Sequence, residues 1–444
     1  MNGFEFKQYE LTDLSNKVLE RAKTLGATSA AICINESIDK SVQILNSNIE
    51  NFESSYSSSL TLSVYKNNNK ATINISKISL NNIDSIINKA LDLANYTQED
   101  IYNRLADKEY LSQSIDKDLK LFNYSNISNE EMIEVARELE SLTLLNNKIK
   151  SSDGSSFTYS YHNFLLATTN NFNLGYSSSI FSKGISLIGE SSNGLQTDYF
   201  QDSSRDICDL MPNKALADKA INATIRRLVK GTIKSNKYNV IFDCRISKSI
   251  FNMLFNAISG SNLYRKLSFL KDSLGSKILP SWVNIKEDPF ILKGLGSCYF
   301  DSEGVKVAPK HIVESGVIST YLLSCYAARK LNMSPTGNAG GTYNVKVTPN
   351  ILGGIPELVK KLQCGLVIIE TIGNGLNLTS GDYSVGASGL WFENGEIKYF
   401  VDNLTISGNL KDIYNNIIYI SDDYEINRSM HCGSVAIEGI NVTV

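Results

Sequence analysis

The chain has 444 residues, 42% hydrophobic and 20% charged, which is enough for two or three cores of ordinary size and too much for a single domain. Its formal net charge of −3 comes from mixed signs spread along the chain, so no basic stripe is present to hold a phosphate backbone and nucleic acid is not an expected partner. No apolar run approaches the roughly 20 residues that span a bilayer, and the opening run M-N-G-F-E-F-K-Q-Y-E is too polar and acidic for a signal peptide; a soluble, cytoplasmic chain with no membrane partner is expected.

The first predicted helix starts near Thr12, where Leu14, Val18, Ala22 and Leu25 recur at helical spacing and Gly26 follows as a stop. It should pack on an antiparallel sheet made from T-S-A-A-I-C-I-N, S-V-Q-I-L-N, S-L-T-L-S-V-Y and A-T-I-N-I-S, four short β-rich runs separated by polar turns. A second helix from about Asn81 to Tyr96 covers the same sheet. Residues 97–120 lose all period and read as a connection. Ser128 with Glu131 forms a capping box ahead of a helix carrying Met132, Val135, Ala136, Leu139 and Leu142. Two alternating strands follow, F-T-Y-S-Y-H-N-F-L-L-A and F-N-L-G-Y-S-S-S-I-F, and then a helix beginning near Pro212.

The expected fold class is α+β, with a domain over residues 1–110, a second over 111–231, both layered helix-on-sheet units, and a β-rich, glycine-rich third domain over 232–444. The third domain opens with the strand Y-N-V-I-F-D and a helix holding Ile250, Leu254 and Ile258. A strand V-I-S-T-Y-L-L is expected after the turn Glu314-Ser315-Gly316. Asn394-Gly395, between two apolar runs, is the strongest hairpin signal in the chain.

The seven cysteines, Cys33, Cys208, Cys244, Cys298, Cys325, Cys364 and Cys432, form no C-x-x-C pair and are expected to be reduced and mostly buried. Catalytic zinc needs three protein ligands and an open position, commonly with two ligands one helical turn apart. The only histidines, His162, His311 and His431, show no such spacing. His431 adjoins Cys432, yet neighbours on a strand point to opposite faces, which argues against a Cys/His dyad. In F-D-S-E-G-V, Asp301 and Glu303 precede Gly304; paired acids can serve as acid/base groups or bind a cation, and the plainer alternative is a turn capped by Asp301 with Gly304 at positive φ. The run S-P-T-G-N-A-G-G, with Thr336, Gly337, Asn338, Gly340 and Gly341, suits a loop whose amides approach a peptide, and it lacks the lysine of a phosphate-binding loop. Tyr264, Arg265, Tyr326 and Arg329 are either interface anchors or ordinary surface residues.

Four runs in this order, A-I-S-G-S-N-L-Y-R-K, F-L-K-D-S-L-G, F-D-S-E-G-V and S-P-T-G-N-A-G-G, closely resemble the C-terminal domain of the TldD/TldE family, and specifically its TldE (PmbA) branch. That family is a two-subunit peptidase of the U62 type in which TldD carries zinc on an H-E-x-x-x-H helix. The resemblance places this helix at Ile250 to Gly260, where the sequence I-F-N-M-L-F-N-A-I-S-G contains no His, Glu, Asp or Cys. Cys432-Gly433 matches a cysteine ligand position of TldD; its plain reading is a buried thiol at a strand end. The resemblance implies no catalytic or metal-binding residue and no cofactor in this chain, zinc on a TldD-type partner, a heterodimer or larger assembly, and a small or unfolded peptide as substrate. The Asp301 and Ser334 to Gly341 loops would line the groove, and an extended peptide bound by strand addition is one expectation. A stand-alone metallopeptidase, a thiol hydrolase and a non-enzymatic peptide-binding modulator are the alternatives, and the isolated chain could form homodimers.

Overall fold

The computed structural model describes residues 3–78, 81–192, 194–373 and 375–444. Six strands, β1 (Ser29–Leu45), β2 (Asn48–Lys66), β3 (Asn69–Ile75), β4 (Ile149–Thr168), β5 (Phe172–Ser191) and β6 (Gly194–Ser204), form one antiparallel sheet in the order β3-β2-β1-β4-β5-β6. The two N-terminal units therefore share a sheet, joined where β1 pairs β4 without a break from Ala31–Thr168 to Ile44–Ser155. The turn expected after Asn35 does not form, and β1 runs through as one strand. Residues 35–40 contain no glycine or proline, and Ser37 is paired on both sides, to Ser57 and to His162. The buried Glu36 in this stretch is satisfied by backbone N–H groups of Glu5 and Phe6, the Tyr56 hydroxyl and Asn163 Nδ2 at 2.7–3.3 Å.

Side-chain parity sorts the two faces of the sheet. Ile32 and Ile34 pack with helices α1 (Gln8–Thr24) and α2 (Ile83–Asn95), while Val42 and Ile44, of the same parity, pack with α3 (Asn129–Leu144). A fourth helix, α4 (Asn213–Ile225), covers Ile185, Leu187 and Phe200. The capping box at Ser128 forms in both directions, at 2.7 and 3.1 Å. On the other parity, Phe164, Leu166, Phe172 and Tyr176 meet Tyr299 and Phe300 of the third domain, with Phe172–Phe300 and Tyr176–Tyr299 ring centroids 5.0 Å apart.

The third domain opens with β7 (Asn236–Phe242), α5 (Cys244–Ala257) and α6 (Gly260–Tyr264). Short strands β8 (Ile285–Glu287), β9 (Lys310–Glu314), β10 (Val317–Ile318), β11 (Val345–Val347) and β16 (Met430–His431) form one sheet, with α7 (Cys325–Lys330) between β10 and β11. The remaining elements are α8 (Gly354–Leu362), β12 (Cys364–Ile372), β13 (Asp382–Glu393), β14 (Glu396–Asn409), α9 (Leu410–Asn415), β15 (Ile417–Ile420) and β17 (Val435–Thr443). The second sheet runs β14-β13-β12-β7-β17-β15, and a further β14–β17 pairing closes it into a barrel. Along β12, Leu366 and Ile368 face the core that holds Ile250, Phe251 and Leu254 of α5, whereas Val367 and Ile369 face α8. The predicted Asn394-Gly395 hairpin is present, with φ of 54° and 75° as a tight two-residue turn requires. The strand expected over V-I-S-T-Y-L-L stops at Ile318, because later backbone groups bond elsewhere: Leu322 N–H donates to the Ile258 carbonyl at 3.2 Å and Leu323 N–H to Thr336 Oγ1 at 2.8 Å.

The connection over residues 97–120 is a strap laid on the third domain. Lys306 N–H donates to the Tyr110 carbonyl and Ser112 N–H to the Gly304 carbonyl, both at 2.9 Å, and Lys293 N–H to the Leu119 carbonyl at 2.8 Å. A buried ion cluster forms the other junction. Asp198 of β6 accepts from Arg227 Nε and from Arg245 Nη1 of α5, each at 2.9 Å, and Arg226 pairs with Asp243 at 3.0 Å. Burial raises the Asp198 carboxyl, but Arg245 and Arg227 outweigh it and hold the group below the usual carboxylate value. Replacing Asp198 by alanine removes the buried carboxylate that two largely buried guanidinium groups share, leaving Arg227 with the half-exposed Glu370 at 2.8 Å and Arg245 with Asp243 at 3.6 Å, and the expected loss is about 3 kcal/mol of stability. Urea unfolding measures it, and a loss under about 1 kcal/mol would mean that the arginines are hydrated rather than dependent on Asp198.

Candidate functional site

A cleft of about 350 Å³ opens between α5, the start of α6 and the glycine loop, lined by Asn252, Phe255, Asn256, Leu322, Asn338 and Gly340 among others. Asp243 starts α5 by accepting from Arg245 N–H at 3.0 Å, and the amphipathic pattern buries Ile250, Phe251 and Leu254 while leaving Asn252 and Asn256 exposed on the opposite side. The helix ends where Leu322 N–H donates to the Ile258 carbonyl and Gly260 N–H to the Leu322 carbonyl, at 3.2 and 2.8 Å. A Cβ on Gly260 would sit 2.5 Å from the Ala327 Cβ, so only glycine lets α6 lie this close to α7.

The opposite wall is the loop from Thr336 to Thr342, fixed from behind by two buried carboxylates. Glu287 accepts from Asn338 Nδ2 at 3.0 Å and from Tyr343 N–H at 2.7 Å, and it pairs with Lys310 at 3.0 Å. Asp301 Oδ2 accepts from Ala339 N–H at 3.0 Å, while its Oδ1 accepts from Glu303 N–H and Val305 N–H at 2.9 Å. Gly304 has φ of 81°. Asp301 thus adopts the capped-turn arrangement and holds the loop. Glu303 accepts from the first N–H of α7, that of Cys325, at 2.6 Å. Of the residues expected to line a groove, Asn338, Gly340 and Gly341 line the cleft; Asp301, Glu303, Gly304, Thr336 and Gly337 stand behind it. Among the described residues none that lines the cleft belongs to a named strand.

Zinc requires Cys, His, Asp or Glu donors converging on one point. The cleft face of α5 instead presents two primary amides and a phenyl ring, and among the described residues no three Cys, His, Asp or Glu side chains are grouped to hold a metal ion. These residues do not fit a catalytic zinc. Cys432 lines a separate cavity of about 120 Å³ with Cys244 and Met430. Its buried thiol accepts from Ser247 Oγ of α5 at 3.4 Å, and burial pushes it up to about 12. His431 turns away to stack on Tyr424, with Nε2 2.8 Å from the Ile426 carbonyl. His162 is exposed on β4, and His311 is half-buried in β9, 3.5 Å from Glu314. All seven cysteines are free; Cys298, Cys325 and Cys432 are buried, whereas Cys208 and Cys364 are exposed, so the set is less buried than expected.

The expected interface residues are largely engaged within the chain. Tyr326 donates to Asp100 Oδ2 at 2.6 Å, and Arg329 donates to the carbonyls of Tyr102, Arg104 and Leu105 at 2.6–3.1 Å, so both clamp the strap. Tyr264 packs edge-on against Tyr326 at 5.6 Å and supports the exposed Arg265. Sequence reasoning missed Asn252, Asn256 and the Glu287–Lys310 pair. The two asparagines are spaced one turn apart on the polar side of a recognised helix, which was the available signal; the ion pair joins the consecutive strands β8 and β9 across a long irregular connection and follows no local spacing.

Two outcomes follow for these groups. Burial raises the Asp301 carboxyl from its ordinary 3.8 to about 6, against the pull of three backbone N–H donors. The folded chain then binds a proton that the unfolded chain releases across that interval. This contribution is complete below the unfolded value and is lost as pH rises through the folded one, on the order of 3 kcal/mol. Urea unfolding between about pH 4 and about pH 7 should therefore show a steeper fall in stability for the parent than for Asp301→Asn, and equal slopes would place the carboxyl in an ordinary environment. Alkylation of the native chain should label Cys208 and Cys364 first, with Cys432 slower by about a hundredfold or more; peptide mass spectrometry reads this, and early labelling of Cys432 would reopen thiol chemistry.

The family comparisons cover nearly the whole chain. The PmbA/TldA metallopeptidase domain 1 matches residues 30–94, the central domain residues 122–228 and the C-terminal domain residues 235–444. Metalloprotease PmbA of Escherichia coli O157:H7 is 34% identical over 438 residues, covering 97% of each chain. By structure, a Bacteroides thetaiotaomicron protein described as a candidate modulator of DNA gyrase matches with a TM-score of 0.92 at 24% identity, over 97% of this chain and 98% of that one. TldE from Thermococcus kodakarensis matches with a TM-score of 0.85 at 16% identity, over 97% of this chain and 100% of that one. At these identities the two structures speak for the fold alone, whereas the three domain matches and the E. coli relative identify the lineage: the chain belongs to the PmbA/TldD metallopeptidase family.

Proposed function

We propose that this chain is the zinc-free, PmbA/TldE-like subunit of a cytoplasmic two-subunit peptidase, which assembles with a TldD-type subunit as a heterodimer or larger assembly and processes small or unfolded peptides. The observation that carries the reading is the donor set of α5. Where the family's zinc helix falls, Asn252, Phe255 and Asn256 face the cleft, and Cys432 lies behind the helix with its thiol on Ser247. In this reading zinc, water activation and the general base belong to the partner. This chain contributes a rigid glycine loop, a neutral cleft and part of the enclosure that keeps folded substrates out.

The free thiols, two of them exposed, suit a reducing compartment. Among the described residues no helix is long and apolar enough to cross a membrane. The deciding experiment is hydrolysis of an unstructured fluorogenic peptide in the presence of zinc, with this chain alone, with a TldD-type subunit alone and with both, each with a chelator control. Cleavage that needs both chains and disappears with chelator is expected. Chelator-sensitive cleavage by this chain alone would overturn the reading.

A further inference from the structure

The cleft is unusual in carrying unpaired hydrogen-bonding groups without any charge. Its lining is amide, hydroxyl and glycine, with Phe255, Leu322 and Ala339 as the apolar part, and it includes no Asp, Glu, Lys or Arg. Asn252 and Asn256 stand one helical turn apart on the exposed side of α5. Among the described residues the Asn252 amide has no hydrogen-bond partner, and Asn256 uses its oxygen on Asn262 Nδ2 at 2.8 Å while its own NH₂ donates to nothing in the chain. Across the cleft the N–H groups of Gly340 and Thr342 have no partner among the described residues, since φ of 114° and 124° at Gly340 and Gly341 turn this backbone out of any ladder.

These groups select a chemistry. A charged side chain entering the cleft would lose hydration and meet no counter-charge. A peptide main chain supplies carbonyl acceptors for the two NH₂ groups and the loop N–H groups, together with N–H donors for Asn252 Oδ1. We infer that the cleft is a binding site for a short, uncharged peptide segment held by its main chain, gripped by Asn252 and Asn256 and selective against acidic and basic residues. Its volume of about 350 Å³ lies at the small end of ligand pockets and suits a short extended segment rather than a folded element. The inference rests on the proposed peptide-handling role, yet the binding itself requires neither metal nor partner.

The test is calorimetric titration of the full-length chain, without a TldD-type subunit, using an end-blocked Ala-Ser-Gly-Asn tetrapeptide and versions with Lys or Asp at one position. The neutral peptide should bind, and each charged version should bind at least about tenfold more weakly. Asn252→Ala and Asn256→Asp should each weaken the neutral peptide about tenfold; the aspartate retains the acceptor used by Asn262 while it exchanges the donor for a charged acceptor that repels peptide carbonyls. Asn252→Asp should shift preference toward the Lys peptide, an outcome that misfolding cannot imitate. No binding by the parent chain, or equal binding of all three peptides, overturns the inference. Intact selective binding together with failed two-subunit hydrolysis would count against the proposed function and leave this site standing.

Discussion

Pairing of β1 with β4 is the contact that every other feature of the N-terminal half presupposes. The two strands lie more than a hundred residues apart in sequence, yet their ladder is continuous from Ala31–Thr168 to Ile44–Ser155. It fixes parity across the whole sheet, so that the residues beneath α1 and α2 and those beneath α3 share one face. The face left over offers Phe164, Leu166, Phe172 and Tyr176 to the third domain. A one-residue slip in that ladder would turn these aromatics away from Tyr299 and Phe300 and remove the support on which the Asp301 turn is built. Geometry at the cleft is therefore set partly by hydrogen bonds in a sheet that does not line it.

Local signals were read well from sequence because their causes are local. The helices α1 and α2 follow from apolar spacing, the start of α3 from its capping box, and the β13–β14 turn from Asn394-Gly395. The failures have non-local causes. Polar residues around Glu36 looked like a turn, although the carboxylate is satisfied from residues 5, 6, 56 and 163 and the backbone stays extended. The strap over residues 97–120 looked unstructured because much of what holds it is backbone-to-backbone hydrogen bonding, which leaves no side-chain period. At the site, glycine and asparagine marked the loop as a loop, but nothing in its composition said that α5 would face it. For Asp301 and Glu303 the turn is the plainer of two readings, and the backbone N–H partners of both carboxylates agree with it.

The third domain separates its support from its contact surface. Glu287, Lys310 and Asp301 are charged and lie behind the loop, where each carboxylate has several donors. The cleft itself is neutral. Charge thus stiffens the wall without reaching the space it encloses, and the electrostatic character of the cleft depends on the few side chains of α5 and the loop that face it. A helix of the same packing could carry metal ligands on that side with little change to Ile250, Phe251 and Leu254, which bury the other side.

The strap changes how the three matching segments should be regarded. Residues 95–121 lie between the first two matches and belong to neither. Yet this stretch receives the Arg329 guanidinium and the Tyr326 hydroxyl, and its backbone hydrogen-bonds Gly304 and Lys306 beside the Asp301 turn. The wall of the cleft formed by Leu322 and Ser324 is consequently tied through α7 to a piece of chain more than two hundred residues upstream. The matched segments thus depend on contacts with chain that lies outside all three. Recombination between relatives at the boundary before residue 235 would bring a foreign strap to a native cleft, and compatibility of chimeras should be governed by the match between that strap and α7 rather than by similarity within any of the three segments.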